Sequence, residues 1–267
     1  MKSWITPATA RKYLKHGTGK GVRVAIIDSG IEIRHPDLKG IKLADDVAIV
    51  RDGHRLVTKT NRGRDVFGHG TAIAHIIRTL APEATISSFR VLGEDNSSKT
   101  AIILRAASEA MDRGYHVLNC SFGCGVEDQV LLYKNWIDDA YKRGIHVVSA
   151  CNNSDFTMLE WPAYFPSVVA VNMAQLDDPT RFFRYPDSLV EFAAQGVNNE
   201  LPWMNGRRKL VTGSSFAAPR MAALLARLLS RVPDLSPLAA KAVLQHVAVP
   251  WNARVAGPNV PKQKGEK

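Results

Sequence analysis

"VRVAIID" (residues 22–28) decides how this chain is read, because it runs almost without polar interruption into the acid that ends it. A strand with one wet face alternates apolar and polar residues. A continuously apolar run instead fits a strand covered on both faces, as in a parallel sheet. "TISSFRVL" (85–92), "HVLNCSF" (116–122), "IHVVSA" (145–150) and "SVVAVNM" (167–173) also read as strands. Between them "TAIILRAASEAMDRG" (100–114) and "QVLLYKNWIDDAYKRG" (129–144) have helical spacing and stop at glycine. Ser-Pro opens a further helix at "SPLAAKAVLQHV" (236–247). The alternation predicts an α/β fold: a doubly wound, mostly parallel sheet flanked by helices on both faces. With no dividing linker, residues 1–250 are expected to form one domain and residues 251–267 a loose tail rich in proline, glycine and charge.

The bulk properties are those of an ordinary soluble domain, at 45% hydrophobic and 22% charged residues in a chain of 267. No apolar run reaches the roughly 20 residues that cross a bilayer, and "MKSWITPATARKYLKHG" lacks the apolar core of a signal peptide. No membrane partner is expected. The three cysteines, Cys120, Cys124 and Cys151, show no metal-ligand spacing and read as reduced thiols of a cytoplasmic protein. A net charge of +10 raises nucleic acid as a partner. The basic residues are scattered, however, and the one cluster, "PKQKGEK" (261–267), lies at the frayed end, so nucleic acid is not expected.

In such sheets functional groups collect at the carboxyl ends of strands. Asp28 ends the first run and is followed by Ser29 and Gly30. In "DVFGHGTAIAHII" (65–77), His69 stands between two glycines that let other groups approach its ring. That setting separates it from most of the eight histidines. "HVVSACNNSD" (146–155) ends a buried strand on Asn152 and Asn153, which could cap a turn or aim an N–H at an oxyanion. "VTGSSFAAPRMAALLARLL" (211–229) puts two serines at the start of an apolar helix, where a hydroxyl could cap the helix or act as a nucleophile. Together these supply an acid, a base, an amide donor and a nucleophile in the order Asp28, His69, Asn153, Ser215.

At these residues the sequence resembles the subtilases, the subtilisin-like serine proteases. "AIIDSGIEIRHPDL" (25–38) resembles the family's aspartate motif, "GHGTAIA" (68–74) its histidine motif and "GSSFAAP" (213–219) its serine motif. "VLNCSFG" (117–123), "WPAYFPSVVAV" (161–171) and "APEATISSFRVL" (81–92) are similar to further core segments, so the resemblance covers roughly residues 1 to 250. It implies peptide-bond hydrolysis by Ser215, with His69 as general base, Asp28 orienting the imidazole, and Asn153 with the Ser215 N–H holding the oxyanion. It also implies a protein or peptide substrate bound as an extended strand, and no cofactor. The residues expected to touch substrate are Ser121, Phe122, Gly123, Ala150, Asn152, Asp155 near the rim, and Glu160 at the floor of the pocket for the residue before the cut. A carboxylate at that floor predicts cleavage after lysine or arginine; the alternative is a Glu160 turned into solvent. Lys99, near the edge that pairs with substrate, would favour acidic side chains upstream.

Three positions depart from the family pattern: Asn152 replaces a usual glycine, Arg220 a frequent histidine and Gln195 a frequent proline. The short stretch before Asp28 is expected to encode no inhibitory propeptide. "AHIIRTLAPEA" (74–84) lacks the calcium-holding loop many relatives insert, so no metal is expected there. Two other functions fit the same residues: a dedicated maturase of one partner or precursor, and a catalytically silent scaffold.

Overall fold

The computed structural model describes residues 5–251. Its centre is a 10-stranded sheet in the order β12-β8-β9-β7-β6-β5-β1-β4-β2-β3. The strands are β1 (Arg23–Asp28), β2 (Asp46–Asp52), β3 (Arg55–Thr60), β4 (Thr85–Arg90), β5 (Val117–Cys120), β6 (His146–Ala150), β7 (Val169–Ala174), β8 (Phe183–Arg184), β9 (Phe192–Gln195) and β12 (Val249–Pro250). From β9 across to β2 every neighbouring pair is parallel. Antiparallel pairing is confined to the flanks, at β2–β3 and β8–β9. A separate hairpin joins β10 (Asn199–Trp203) to β11 (Arg207–Val211).

The uninterrupted apolar texture of β1 follows from what covers it. Val24 and Ile26 point into one core, with α1 (Pro7–His16), α2 (His69–Leu80), α5 (Ser214–Leu229) and α6 (Pro237–Val247). Ala25 and Ile27 point into the other, with α3 (Thr100–Asp112) and α4 (Val130–Lys142). Both faces are dry, so both side-chain parities are apolar. Helix α5 is buried nearly all round, through Phe216, Met221, Leu224, Leu225 and Leu228 among others, each leucine contributing about 2 kcal/mol of burial.

The five predicted strands and three predicted helices are present, generally with ends one or two residues shorter. Ser236 caps α6 through the Ala239 N–H at 3.3 Å. At α5, by contrast, neither serine caps: Gly213 is the N-cap and makes no side-chain bond. The β2–β3 and β10–β11 hairpins and α1 were not read from the sequence. Of the expected tail, Trp251 is part of the fold, its ring 4.2 Å from that of Tyr185, while residues 252–267 lie outside the described residues. From α6, Lys241 Nζ bonds the Pro166 and Val168 carbonyls and the Glu191 carboxylate, which fixes the segment entering β7.

His146 opens β6 at 3% exposure. Burial pushes its pKa from 6.5 down to about 4, opposed by its hydrogen bond to the Leu235 backbone and assisted by His116. The folded state therefore holds it neutral while the unfolded chain protonates below 6.5. Stability should fall as pH drops through the window from 6.5 to 4, by about 3 kcal/mol from this group. Urea unfolding across that window checks this: His146→Gln should lose less stability on acidification than the wild type does.

Candidate active site

Asp28 at the end of β1 and His69 at the start of α2 meet across two backbone turns that interlock. A Cβ on Gly70 would overlap the Gly30 carbonyl, and one on Gly30 would overlap the Arg64 carbonyl. Only glycine at both positions allows so close an approach. The His69 Nδ1–H donates to the Asp28 carboxylate at 2.8 and 3.0 Å, and the Ser29 N–H donates to the same carboxylate at 2.7 Å. Asp28 is 1% exposed and His69 5%. Burial alone would lower the imidazole pKa. The charge of Asp28 and the hydrogen bond to it, with Asp65 behind, outweigh burial and hold it above 6.5.

Asp65 is the residue that sequence reasoning missed. Its Oδ1 accepts from Ser29 Oγ (2.9 Å), Phe67 N (3.0 Å) and Gly68 N (2.7 Å). Its Oδ2 accepts from Thr71 N (2.8 Å) and Thr71 Oγ1 (2.6 Å). Gly68, the N-cap of α2, has no side chain to satisfy that helix end, and Asp65 does so from three residues upstream. The signal was present as an acid shortly before a Gly-His-Gly helix start. The hairpin β10–β11 adds Trp203, whose ring packs edge-on against Phe67 and His69, with centroids 5.6 and 6.3 Å away.

Helix α5, which carries Ser215, is tied to the end of β6. Ser214 Oγ donates to the Cys151 carbonyl at 2.6 Å, and the Ser214 N–H donates to Asn153 Oδ1 at 2.7 Å. With that oxygen engaged, the Asn153 amide N–H group is left free to donate. A Cβ placed on Gly213 would lie 3.3 Å from Ser215 Oγ and 3.4 and 3.6 Å from the Asn153 amide oxygen and nitrogen, so these groups border one spot. Ser215 is the second residue of α5, and its N–H has no acceptor within the helix. The ring of the next residue, Phe216, is 5.2 Å from the His69 ring.

Pro219 lies within α5 and cannot donate to the Ser215 carbonyl four residues earlier. Ser121 Oγ takes that place, donating to the Ser215 carbonyl at 3.0 Å while accepting from Asn119 Nδ2 at 2.9 Å. Ser121, expected to touch substrate, thus uses its hydroxyl to bind the Ser215 backbone.

Beyond β5, Cys124 and Trp161 exchange backbone hydrogen bonds at 2.9 Å in each direction, which brings Glu160 beside Gly123. Glu160 is half-buried. Its Oε1 accepts from Asn152 Nδ2 at 2.7 Å, and a Cβ on Gly123 would lie 2.5 Å from its Oε2. Ala150 is buried at the end of β6 and Phe122 is half-buried. Asp155 Oδ1 accepts from Thr157 N (2.9 Å) and Thr157 Oγ1 (2.6 Å), which shapes the rim loop. Lys99 is exposed at the N-cap of α3. Two of the departures prove to be bonded together: Arg220 Nε donates to the Gln195 carbonyl and an Arg220 terminal nitrogen to Asn199 Oδ1, both at 2.8 Å. Burial lowers the Arg220 pKa to about 10, which leaves it charged at neutral pH.

Among the described residues no group of three or more His, Cys, Asp or Glu is placed to hold a metal ion. Cys120, Cys124 and Cys151 are free.

The Subtilase family profile matches residues 19–266. The minor extracellular protease Epr of Bacillus subtilis (strain 168) is 29% identical over 245 residues, 87% of this chain but 36% of its own length. Subtilisin BL of Lederbergia lenta is 28% identical over 240 residues, 86% of this chain and 84% of its own. In fold, the chain is similar to a cold-adapted subtilisin-like serine proteinase, with a TM-score of 0.71 and 24% identity over 94% of this chain and 88% of that one. The S41 psychrophilic protease gives a TM-score of 0.73 at 23% identity, covering 92% of each chain. By its sequence and by its fold, this chain belongs to the subtilase family of serine proteases.

Proposed function

We propose that the chain is an endopeptidase working through Asp28, His69 and Ser215, with Asn153 as oxyanion donor. The observation that supports this reading is the buried Asp28–His69 hydrogen bond, whose imidazole lies 5.2 Å from the ring of the residue after Ser215, while Ser215 Oγ and a free Asn153 amide N–H group border one spot. Ser215 Oγ attacks the carbonyl carbon while His69 Nε2 takes its proton. The raised pKa of His69 suits it to accept that proton and then return it to the leaving amine. Asp28 fixes the tautomer and balances the imidazolium. The oxyanion lies between the Asn153 amide and the Ser215 N–H, whose bonds strengthen as charge develops. Water then repeats the sequence on the acyl-enzyme. The substrate lies as an added strand along Ser121–Gly123.

Glu160, half-buried and bonded by Asn152, supports a preference for lysine or arginine before the cut, because a carboxylate facing substrate there would favour a cationic partner. The same feature supports a narrow substrate range, as in a maturase of one precursor or partner protein. The free thiols support a reducing compartment, the cytoplasm, as its place of work.

A fluorogenic peptide panel varied only before the cut tests the reading. Arginine and lysine peptides should be cut and Ser215→Ala should be inactive; cleavage that survives Ser215→Ala would overturn the mechanism. Glu160→Gly should shift preference to apolar residues, and an apolar preference already present in the wild type would contradict the role of Glu160. Asn153→Ala should lower kcat by about 10²–10³-fold, the loss seen when such a donor is removed from a subtilisin, with little change in KM. In Asp28→Asn the plateau of kcat/KM should fall by about 10⁴-fold. Its acid limb should also move to lower pH, since the charge that raises the His69 pKa is gone. An unmoved limb would assign it to another group.

A further inference from the structure

The pocket acid does not stand alone. Asn152 Nδ2 donates to Glu160 Oε1 at 2.7 Å. Its Oδ1 accepts from the N–H groups of Ser154 (2.8 Å) and Asp155 (3.0 Å), so the side chain is held at both ends. An amide whose oxygen is fixed by two backbone donors cannot flip or swing, and its N–H is therefore aimed at one point. That point is the Glu160 carboxylate, whose other oxygen faces Gly123 closely enough that any side chain there would collide with it. Glu160 is thus confined between Gly123 and Asn152. Its own backbone carbonyl is engaged separately, accepting from Tyr164 N at 3.0 Å.

The position of Asn152 gives this bond its meaning. The family usually has glycine there, which could supply no such donor, and usually has a small residue where Glu160 stands. The two departures are adjacent in space and bonded to each other. A flexible glutamate at a pocket floor could reach out to solvent and would discriminate weakly between charged and neutral guests. One clamped by a preset donor loses that freedom before substrate arrives, so less ordering remains to oppose binding.

We propose that Asn152 is a specificity-positioning residue. By holding the Glu160 carboxylate at the pocket base, it makes discrimination between cationic and neutral residues before the cut depend on two side chains. The inference rests on the reading of Glu160 as the base of the pocket and adds to it the residue that aims the acid.

The test compares two peptides that differ only in having lysine or norleucine before the cut, two side chains of similar length of which one is charged. The readout is the ratio of their kcat/KM values. In the wild type lysine should be favoured. In Asn152→Ala the ratio should fall about tenfold, the scale of one hydrogen bond to a charged group. In the Glu160→Gln background the same substitution should leave the ratio where Glu160→Gln alone put it, because the two effects run through one contact. Asn152→Gly, which places the family's usual residue there, is the second variant should alanine disturb the turn, and it should lower the ratio likewise. A general loss of structure would depress both peptides together and leave the ratio intact.

A lysine preference that survives in both Asn152 variants, or that falls equally with and without Glu160, overturns the positioning role while leaving the pocket reading in place. A wild type that cuts both peptides equally overturns the pocket reading itself, and the inference with it.

Discussion

A carboxylate sealed from water at the end of the central strand is the constraint around which this molecule is arranged. Asp28 at 1% exposure is tolerable only if donors replace its lost hydration. The nearest are the Ser29 N–H and the His69 ring. That requirement draws the histidine helix down onto β1 and forces the Gly30 and Gly70 backbones together. It also makes the loop between them a structural problem, solved by a second buried acid, Asp65, which satisfies the start of α2. The two acids share Ser29 between them: its N–H serves Asp28 and its hydroxyl serves Asp65. The chemistry at His69 and the stability of the turn beneath it are thus properties of one hydrogen-bonded unit.

Ser215 is positioned by a different set of bonds. Helix α5 is buried because it runs beneath the sheet between the other helices, and its first turn emerges at the carboxyl ends of β5 and β6. There Ser214 is bonded to Cys151 and Asn153, and the Ser215 carbonyl, freed by Pro219, is bonded to Ser121. A proline that would ordinarily weaken a helix here opens an acceptor for Ser121, just beyond β5.

Much of this was legible in the sequence, for definite reasons. Strands buried on both faces give apolar runs whatever their partners, so "VRVAIID" and its neighbours predict the parallel sheet without any knowledge of strand order. Asp28, His69, Asn153 and Ser215 stand out because small residues crowd them; they lie at or just beyond the carboxyl ends of β1 and β6 and at the starts of α2 and α5. Asp65 was missed because three of its five partners are backbone N–H groups, which leave no mark in a sequence, and one of its two hydroxyl partners, Ser29, lies far away along the chain. The role of Ser121 was missed for the same reason, since its acceptor is a carbonyl that matters only because Pro219 lies four residues further on. The β2–β3 hairpin went unread although Gly53 and His54 form its turn, because a short antiparallel pair is easily lost among βαβ units. Departures from the family pattern were visible one at a time. That they occur as bonded pairs, Asn152 with Glu160 and Gln195 with Arg220, belongs to three dimensions alone.

The central claim is that Asp28, His69 and Ser215 form one nucleophilic unit. Labelling of the intact protein with a fluorophosphonate, followed by peptide mapping and by rate measurement across pH, tests it most directly. The account predicts a single adduct on Ser215, forming at a rate governed by a group that titrates above 6.5 and absent in His69→Ala. No adduct, an adduct on another residue, or a rate indifferent to His69 would contradict it.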